Sequence, residues 1–577
     1  MPALTNPDSC DASLVELMLQ CTAVAPADRL QASRLRKHES VVSQDAAQCA
    51  QLMIDFVLQV ESLEDQDDIE AVAVTTPRQY SLLATAALAK PRAAFMAEKS
   101  PKMTAASRLV GIQRMLSTQE AQEGEKLVLA LNNLTGRTMV LNRPKALNSL
   151  TLPMVQTIKR YLEDWEKSDL CDVVMLRSNS RKAFCAGGDV VQVSRDWRDG
   201  NKAQAMEFFR TEYKVNHHIA TYKKPIVAML DGFTMGGGVG LSVHAPFRVA
   251  SENAVFAMPE TKIGFFPDVG ATFFLPRLDG ELGVYLGLTG QKLKGRDLLY
   301  AGIATHYVPS ERHALLEQRL QGLGTSDYTA INLAIEEFVA QPENSQSEDF
   351  VGVVNDVPID FSLASVRDVI DICFKFNTIE AIMQALTEVA NQPGPASEWA
   401  QKTYDQMNQM SPSSLKLTLE QLRRGAQLDI QKAFELELVL AERRLESHDM
   451  HEGIDALLVR KTNDAAWDPE NINAVDIREL YSQYFEGEHE TTPLYLGSTP
   501  FTEYPHKFGL PTEQEILDVV SGESPQAGGF GMTYELVMEF FMREYESKMG
   551  VEQKVNWVLS RRTELGDAGG TLRVIKS

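Results

Sequence analysis

Two glycine-rich turns, each set directly after an apolar strand-like run, constrain the fold of this 577-residue chain more than any other feature. CDVVMLRSN leads to KAFCAGGDV, Lys182 to Val190, and PIVAMLDG leads to FTMGGGVGLS, Phe233 to Ser242. The text before them, LVLALNNLTGRTMVLN and then PMVQTIKRYLEDWEKS, reads as paired strands followed by an amphipathic helix, and a long helix is expected from about Ala203 to Ile219. Alternation of this kind predicts a β/α crossover layout. Backbone amides at strand-to-helix turns can hold a developing oxyanion, and glycine lets a substrate come close. A lone glycine turn is commonly just a tight turn, so chemistry requires companions.

One companion is MPETKIGFFPDVG, Met258 to Gly270, which carries Glu260 and Asp268 among Ile263, Phe265, Phe266 and Val269. Pro259 and Pro267 argue against one continuous helix there. Acids so placed either cap short helices or face a shared cavity.

In this order the segments closely resemble the crotonase or enoyl-CoA hydratase superfamily, and within it the 3-hydroxyisobutyryl-CoA hydrolases. The resemblance runs from about Leu127 to about Pro469 and includes RPKALNSL, FFRTEYKVN, LTGQKLKGRDLLYAGIATHYV, MSPSSLKLTL and SHDMHEG. It implies an α/β fold: a crotonase-like ββα spiral core followed by a helical C-terminal region, with N- and C-terminal extensions. It also implies that the amides of Ala186 and Gly237 form an oxyanion hole and that Lys145, Ala146 and Leu147 line the coenzyme A site. Glu260 would be the base or the nucleophile, Asp268 would orient the reacting groups, and Glu212 would contact the substrate together with Gly237, Glu260 and Asp268.

The superfamily also separates hydrolase from hydratase. Hydratases carry a catalytic Glu where this chain has Gly240, and a Gly where it has Asp268. The implied reaction is hydrolysis of 3-hydroxyisobutyryl-CoA in valine catabolism, in the mitochondrial matrix, with coenzyme A entering only as part of the substrate and no other cofactor or metal. Members resembling this hydrolase also occur in the mitochondrial ribosomal small subunit, which is the alternative; enoyl-CoA hydration is a second one. A homo-oligomer is left open. Lys262, Ala271 and Thr272 depart from the usual pattern and would alter pocket shape.

The remaining text divides into residues 1–99, an N-terminal extension with helical patterns at 12–21 and 45–60, and residues 100–120, a segment free of acids over 100–119 that carries Lys102, Arg108 and Arg114 and reads either as a transit peptide or as a basic linker helix joining two domains. On the former reading the mature protein is expected to begin after it. The core is expected over 124–320, its helical C-terminal part over 321–480, and a helical appendage serving as a lid or interaction element over 481–577. In that appendage Thr512 and Glu515 form a capping box, and Gly550 is expected to end a helix that starts near Thr533.

A net charge of -23 argues against direct nucleic-acid binding through a broad basic surface. No apolar run reaches the roughly 20 residues that span a bilayer. Six widely spaced cysteines suit neither a metal knuckle nor a disulfide scaffold. His217, His218, His448 and His451 read as packing or solvent histidines rather than zinc ligands.

Overall fold

The computed structural model describes residues 126–340 and, with short interruptions, 353–575. They fall in one compact unit, Lys126–Ser577. The helical patterns at 12–21 and 45–60 and the transit-peptide-like stretch lie outside the described residues.

β1 (Val128–Asn133) and β2 (Gly136–Leu141) form the expected hairpin, after which α1 (Leu152–Lys167) crosses to β3 (Val173–Ser178). α1 buries Met154, Val155, Ile158, Leu162 and Trp165 along one stripe, the i, i+4, i+8 spacing that predicted it. Each such side chain contributes about 1.5–3 kcal/mol by leaving water.

β4 (Ala183–Cys185), α2 (Val190–Arg198), α3 (Lys202–Ala220), β5 (Ile226–Leu230), β6 (Phe233–Met235), α4 (Gly237–Gly240), β7 (Phe247–Ala250) and β8 (Val255–Ala257) repeat a strand, strand, helix unit. The first strands of successive units stack into one sheet, ordered β1-β2-β3-β5-β7-β10, with β10 at His306–Tyr307. The second strands build another, β4-β6-β8-β9, with β9 at Leu293–Lys294. From β2 to β10 the first sheet is parallel, as right-handed crossovers require. The result is the expected ββα spiral, and both glycine turns lie at the ends of the second sheet's strands.

Helices then cover the spiral. α5 (Pro412–Gly425) and α6 (Ile430–Leu445) match the two capped amphipathic stretches in the sequence, with Ser411 and Asp429 as side-chain caps. α7 (His448–Ile454) follows. Of the quoted motifs, MSPSSLKLTL and SHDMHEG meet beneath the segment carrying Glu260. Buried Arg444 donates to Gly264 O and to the hydroxyls of Ser413 and Ser414, while Asp449 accepts from Ser411 and Ser413. These bonds fix a turn that has no regular ladder of its own.

The C-terminal part is packed into the core rather than hung from it. Ile516, Val520, Phe541, Val555 and Trp557 join the same apolar cluster as the spiral, and buried Lys554 pairs with Asp279 at 2.6 Å. The capping box at Thr512 and Glu515 opens the helix Glu513–Ser521 as expected. Gly550 does not end the preceding helix, Tyr534–Glu544. It stands at the N-cap of the next, Val551–Arg562, with φ 90, because Glu546 and Ser547 already turn the chain in left-handed conformations.

Candidate active site

Three acids from two parts of the chain share one buried space. Glu212 lies in the middle of α3, Glu260 opens a 3₁₀ turn just after Pro259, and Asp268 sits in the turn that precedes Gly270. They are 2%, 6% and 5% exposed, so each carboxyl is nearly stripped of water. The glycines opposite make room for them. A Cβ on Gly236 would stand 2.8 Å from Glu260 Oε1, and one on Gly237 would collide with Glu212 Oε1.

Burial is the main force on the ionisation of all three. It raises Glu260 well above the usual carboxylate range, and the neighbouring Asp268 and Glu212 push it further. Burial and then Asp268 raise Glu212 in the same way. Asp268 is pushed up only to about 7, because the Tyr213 hydroxyl donates to its Oδ2 at 2.8 Å and its own backbone adds a bond. Asp268 is therefore the acid that carries charge most readily, beside two that hold their protons tightly. Environments that push neighbouring acids apart in this way suit an acid and base pair.

Glu437 of α6 locks the turn from behind. Its Oε2 accepts from Gly270 N at 2.7 Å and its Oε1 from Thr272 N at 2.9 Å. Burial and Asp268 nevertheless push it up to about 8. Gln421 adds bonds to Pro267 O at 2.6 Å and Thr272 Oγ1 at 2.7 Å, so Thr272 has a definite structural use here. Val269, between Asp268 and Gly270, takes φ 55, an unfavourable conformation for a β-branched residue. Such strain persists only where surrounding bonds over-determine the backbone.

The two expected oxyanion donors differ. Gly237 N heads the first turn of α4, where no intrahelical acceptor exists, and it lies beside Glu212 and Gly188. Ala186 N instead donates to Leu147 O at 3.0 Å. An oxyanion meeting Ala186 has to share that proton or displace the carbonyl.

That contact brings the expected coenzyme A segment to the site. Lys145 and Leu147 are exposed and Ala146 is half-buried, on a short 3₁₀ turn, Pro144–Ala146. Leu147 and Asn148 both adopt positive φ, held by Asn148, whose Nδ2 reaches Ser178 Oγ at 2.7 Å and Phe184 O at 3.1 Å. Arg143 pairs with Asp189 at 2.9 Å across the base of the loop. The three residues thus form a fixed, solvent-facing rim near the first glycine turn.

The four histidines do not converge. His217 packs on Phe434, His218 lies 3.5 Å from Glu166, His448 neighbours Asp449, and His451 meets Ser194 Oγ at 2.8 Å. Cys171, Cys185 and Cys373 are buried free thiols. Lys262 is half-buried on the turn that Glu260 begins.

Sequence reasoning missed Tyr213, Asn216, His244 and Glu437. Tyr213 and Asn216 lie one and four positions after Glu212, so helical spacing could have placed Asn216 on its face. Nothing local marks His244 or Glu437, whose partners are distant in sequence.

Residues 136–485 match the family model described as enoyl-CoA hydratase/isomerase. The small ribosomal subunit protein mS47 of Neurospora crassa is 40% identical over 79% of this chain and 91% of its own length. The 3-hydroxyisobutyryl-CoA hydrolase, mitochondrial, of Xenopus laevis is 43% identical over 58% of this chain and 83% of its own. Among solved structures, a carnitinyl-CoA dehydratase from Mycobacterium thermoresistibile is 33% identical, with TM-score 0.56 over 65% of this chain and 100% of that one.

Proposed function

Since the chain belongs to the enoyl-CoA hydratase/isomerase family, we propose that it hydrolyses the thioester of 3-hydroxyisobutyryl-CoA to 3-hydroxyisobutyrate and coenzyme A. A mitochondrial location agrees with hydrolase relatives that carry that word in their names, and the matrix and valine catabolism are the setting we assign. The observation that carries the reading is the pairing of Asp268 with Glu260 in one buried site while position 240 is bare. A Cβ at Gly240 would stand 2.7 Å from both Asn216 Oδ1 and Val269 Cβ, so the hydratase's second acid has no place.

The thioester carbonyl would lie with its oxygen toward Gly237 N and its carbon toward Glu260. Glu260 would pass its proton to ionised Asp268 and then, as the carboxylate, either take a proton from an attacking water or attack the carbon itself to give an anhydride that water then opens. Either route builds negative charge on the carbonyl oxygen, where removal of one donor typically costs about 2.7–4 kcal/mol. Collapse breaks the C–S bond: on the water route the thiolate takes the proton that Glu260 drew from the water, and on the anhydride route it takes the proton held by Asp268, which the water that opens the anhydride then restores. Asp268, held by Tyr213 and by the turn that Glu437 braces, keeps the proton balance between the acids. Lys145, Ala146 and Leu147 would meet the nucleotide end of coenzyme A at the rim, and no further cofactor enters these steps.

The test is release of free coenzyme A by purified protein across a panel of acyl-CoA esters, set beside hydration of crotonyl-CoA. Fast release from 3-hydroxyisobutyryl-CoA with negligible hydration supports the reading; comparable rates of both reactions refute it.

A specific observation also favours a second reading, as a component of the mitochondrial ribosomal small subunit. The likeness to the ribosomal protein covers 79% of the chain, against 58% and 65% for two of the hydrolases, so it takes in sequence that those relatives lack. Cosedimentation of the native protein with the small subunit at high salt would establish that role, and the two roles are compatible in one chain.

A further inference from the structure

We propose that the carboxamide of Asn216 forms a hydroxyl subsite in this pocket, a second polar contact for the acyl chain beside Glu212. The inference rests on the thioester reading above and adds to it the residue that distinguishes a hydroxyacyl group from a plain alkyl one.

Asn216 is 0% exposed, yet neither its Nδ2 nor its Oδ1 has a partner among the described residues. Leaving both unmade in a packed interior is costly, and native proteins rarely do so without use. The residue stands four positions after Glu212 in α3, so both side chains project from the same helix face. Glu212 Oε1 is likewise buried and unpartnered. Asn216 Oδ1 lies where a side chain at Gly240 would begin, next to Val269, and Val269 follows Asp268 directly. The carboxamide thus belongs to the wall that carries Glu212 and Asp268, in the place the hydratase gives to its second acid.

The chemistry of the wall selects the ligand class. A carboxamide offers a donor and an acceptor side by side, which an alcohol can satisfy at once by accepting from Nδ2 and donating to Oδ1. An anionic group would meet Glu212, Glu260 and Asp268. An alkyl group would leave the amide unmade, and a site built to bond a hydroxyl rejects the analogue that lacks it far more strongly than a merely apolar pocket does.

The test compares wild-type protein with Asn216→Leu, using 3-hydroxyisobutyryl-CoA and isobutyryl-CoA, which differ by one hydroxyl. The ratio of kcat/KM for the two esters should fall at least about tenfold in the variant, chiefly through loss on the hydroxylated ester. Its melting temperature should not fall below that of wild type, because an unpaired amide has been replaced by an apolar group of similar size. An unchanged ratio would overturn the proposal and leave Asn216 as the holder of a structural water. If Asn216→Leu does not fold, Asn216→Ala is measured in the same way. Should wild type release no coenzyme A from either ester, the thioesterase reading fails by itself. The subsite is then decided by the affinities of the non-hydrolysable thioether analogues of the two esters. Wild-type preference for the hydroxylated analogue that the variant lacks upholds the subsite, and equal preference in both proteins refutes it.

Discussion

The hydroxyl of Tyr504 donates to Nδ1 of His244 at 2.7 Å across 260 positions of sequence, and Nε2 of the same ring donates to Val269 O at 2.8 Å. A carbonyl can only accept, so the proton sits on Nε2 and the tautomer is fixed. Burial pushes His244 down to about 4, which keeps the ring neutral at physiological pH. A tyrosine from the C-terminal region, beyond the family-matched residues, therefore reaches the back of the turn that presents Asp268.

Tyr504→Phe is expected to destabilise the protein and to lower kcat more than it raises KM. Either tautomer of His244 then leaves one buried bond unmade, at a cost of about 1–3 kcal/mol. The backbone next to Asp268 loses a support without any change at the coenzyme A rim. Thermal melting and steady-state coenzyme A release check both parts; a variant with native melting and native kcat would show that the relay is idle.

The buried acids also set two opposite pH dependences. Asp268, with a folded value of about 7, should make kcat/KM rise through neutral pH as it ionises. Stability should move the other way. A carboxyl raised on folding contributes stability that is fully present below its unfolded value, near pH 4, and is lost as pH rises through its folded value. For Asp268 that loss runs to about 7 and for Glu437 to about 8. Denaturant titrations from pH 5 to pH 9 should show falling stability, and Glu437→Gln should flatten the upper part of that slope. A protein whose stability rises steadily over this range would contradict the assignment.

Glu260→Gln should lower kcat by at least about 10²-fold with little change in affinity for a coenzyme A thioether, since the amide keeps the shape but neither accepts the proton nor attacks. Asp268→Asn should cost less, because Tyr213 can still bond the side chain at the same place. A folded Glu260→Gln protein with near wild-type turnover would refute the mechanism, and a larger loss from Asp268→Asn would exchange the two roles.

The parts of this site that were legible in the sequence are those whose chemistry is written locally. The two glycine turns and the pair Glu260 and Asp268 stand in short local segments, but it is the resemblance of those segments to the hydrolases, not residue type and spacing alone, that singles out Glu260, Asp268 and Glu212; α1 and α3 declare themselves by their apolar stripes. What brings the acids together is non-local. Glu437 is one more acid on an amphipathic helix until α6 packs against Gly270 and Thr272, and Tyr504 sits in a Pro-containing stretch with no periodicity. The expectation for Gly550 fails because glycine at positive φ more commonly follows a helix end than opens a helix, and here the left-handed Glu546 and Ser547 have already ended the preceding helix. The commitment of the Ala186 amide to Leu147 has no sequence signal at all, since it joins two backbones.

Gly240 supplies a prediction in which two rules give opposite signs. Replacing a helical glycine by alanine ordinarily stabilises by about 0.8–1 kcal/mol. Here the added Cβ would lie 2.7 Å from Asn216 Oδ1 and from Val269 Cβ, inside contact distance of a short side chain and of a residue already strained at φ 55. Overpacking of this kind costs about 1–3 kcal/mol, so Gly240→Ala should lower the melting temperature despite the better helix former. Gly240→Glu should lower it further and should not produce crotonyl-CoA hydration, because the acid cannot enter the wall while Asn216 fills it. The double variant Gly240→Glu, Asn216→Gly removes the obstructing carboxamide and should recover part of the lost stability relative to Gly240→Glu alone. Denaturant unfolding of the three variants decides the matter: if Gly240→Ala proves more stable than wild type, the wall yields, and steric exclusion does not explain the bare position.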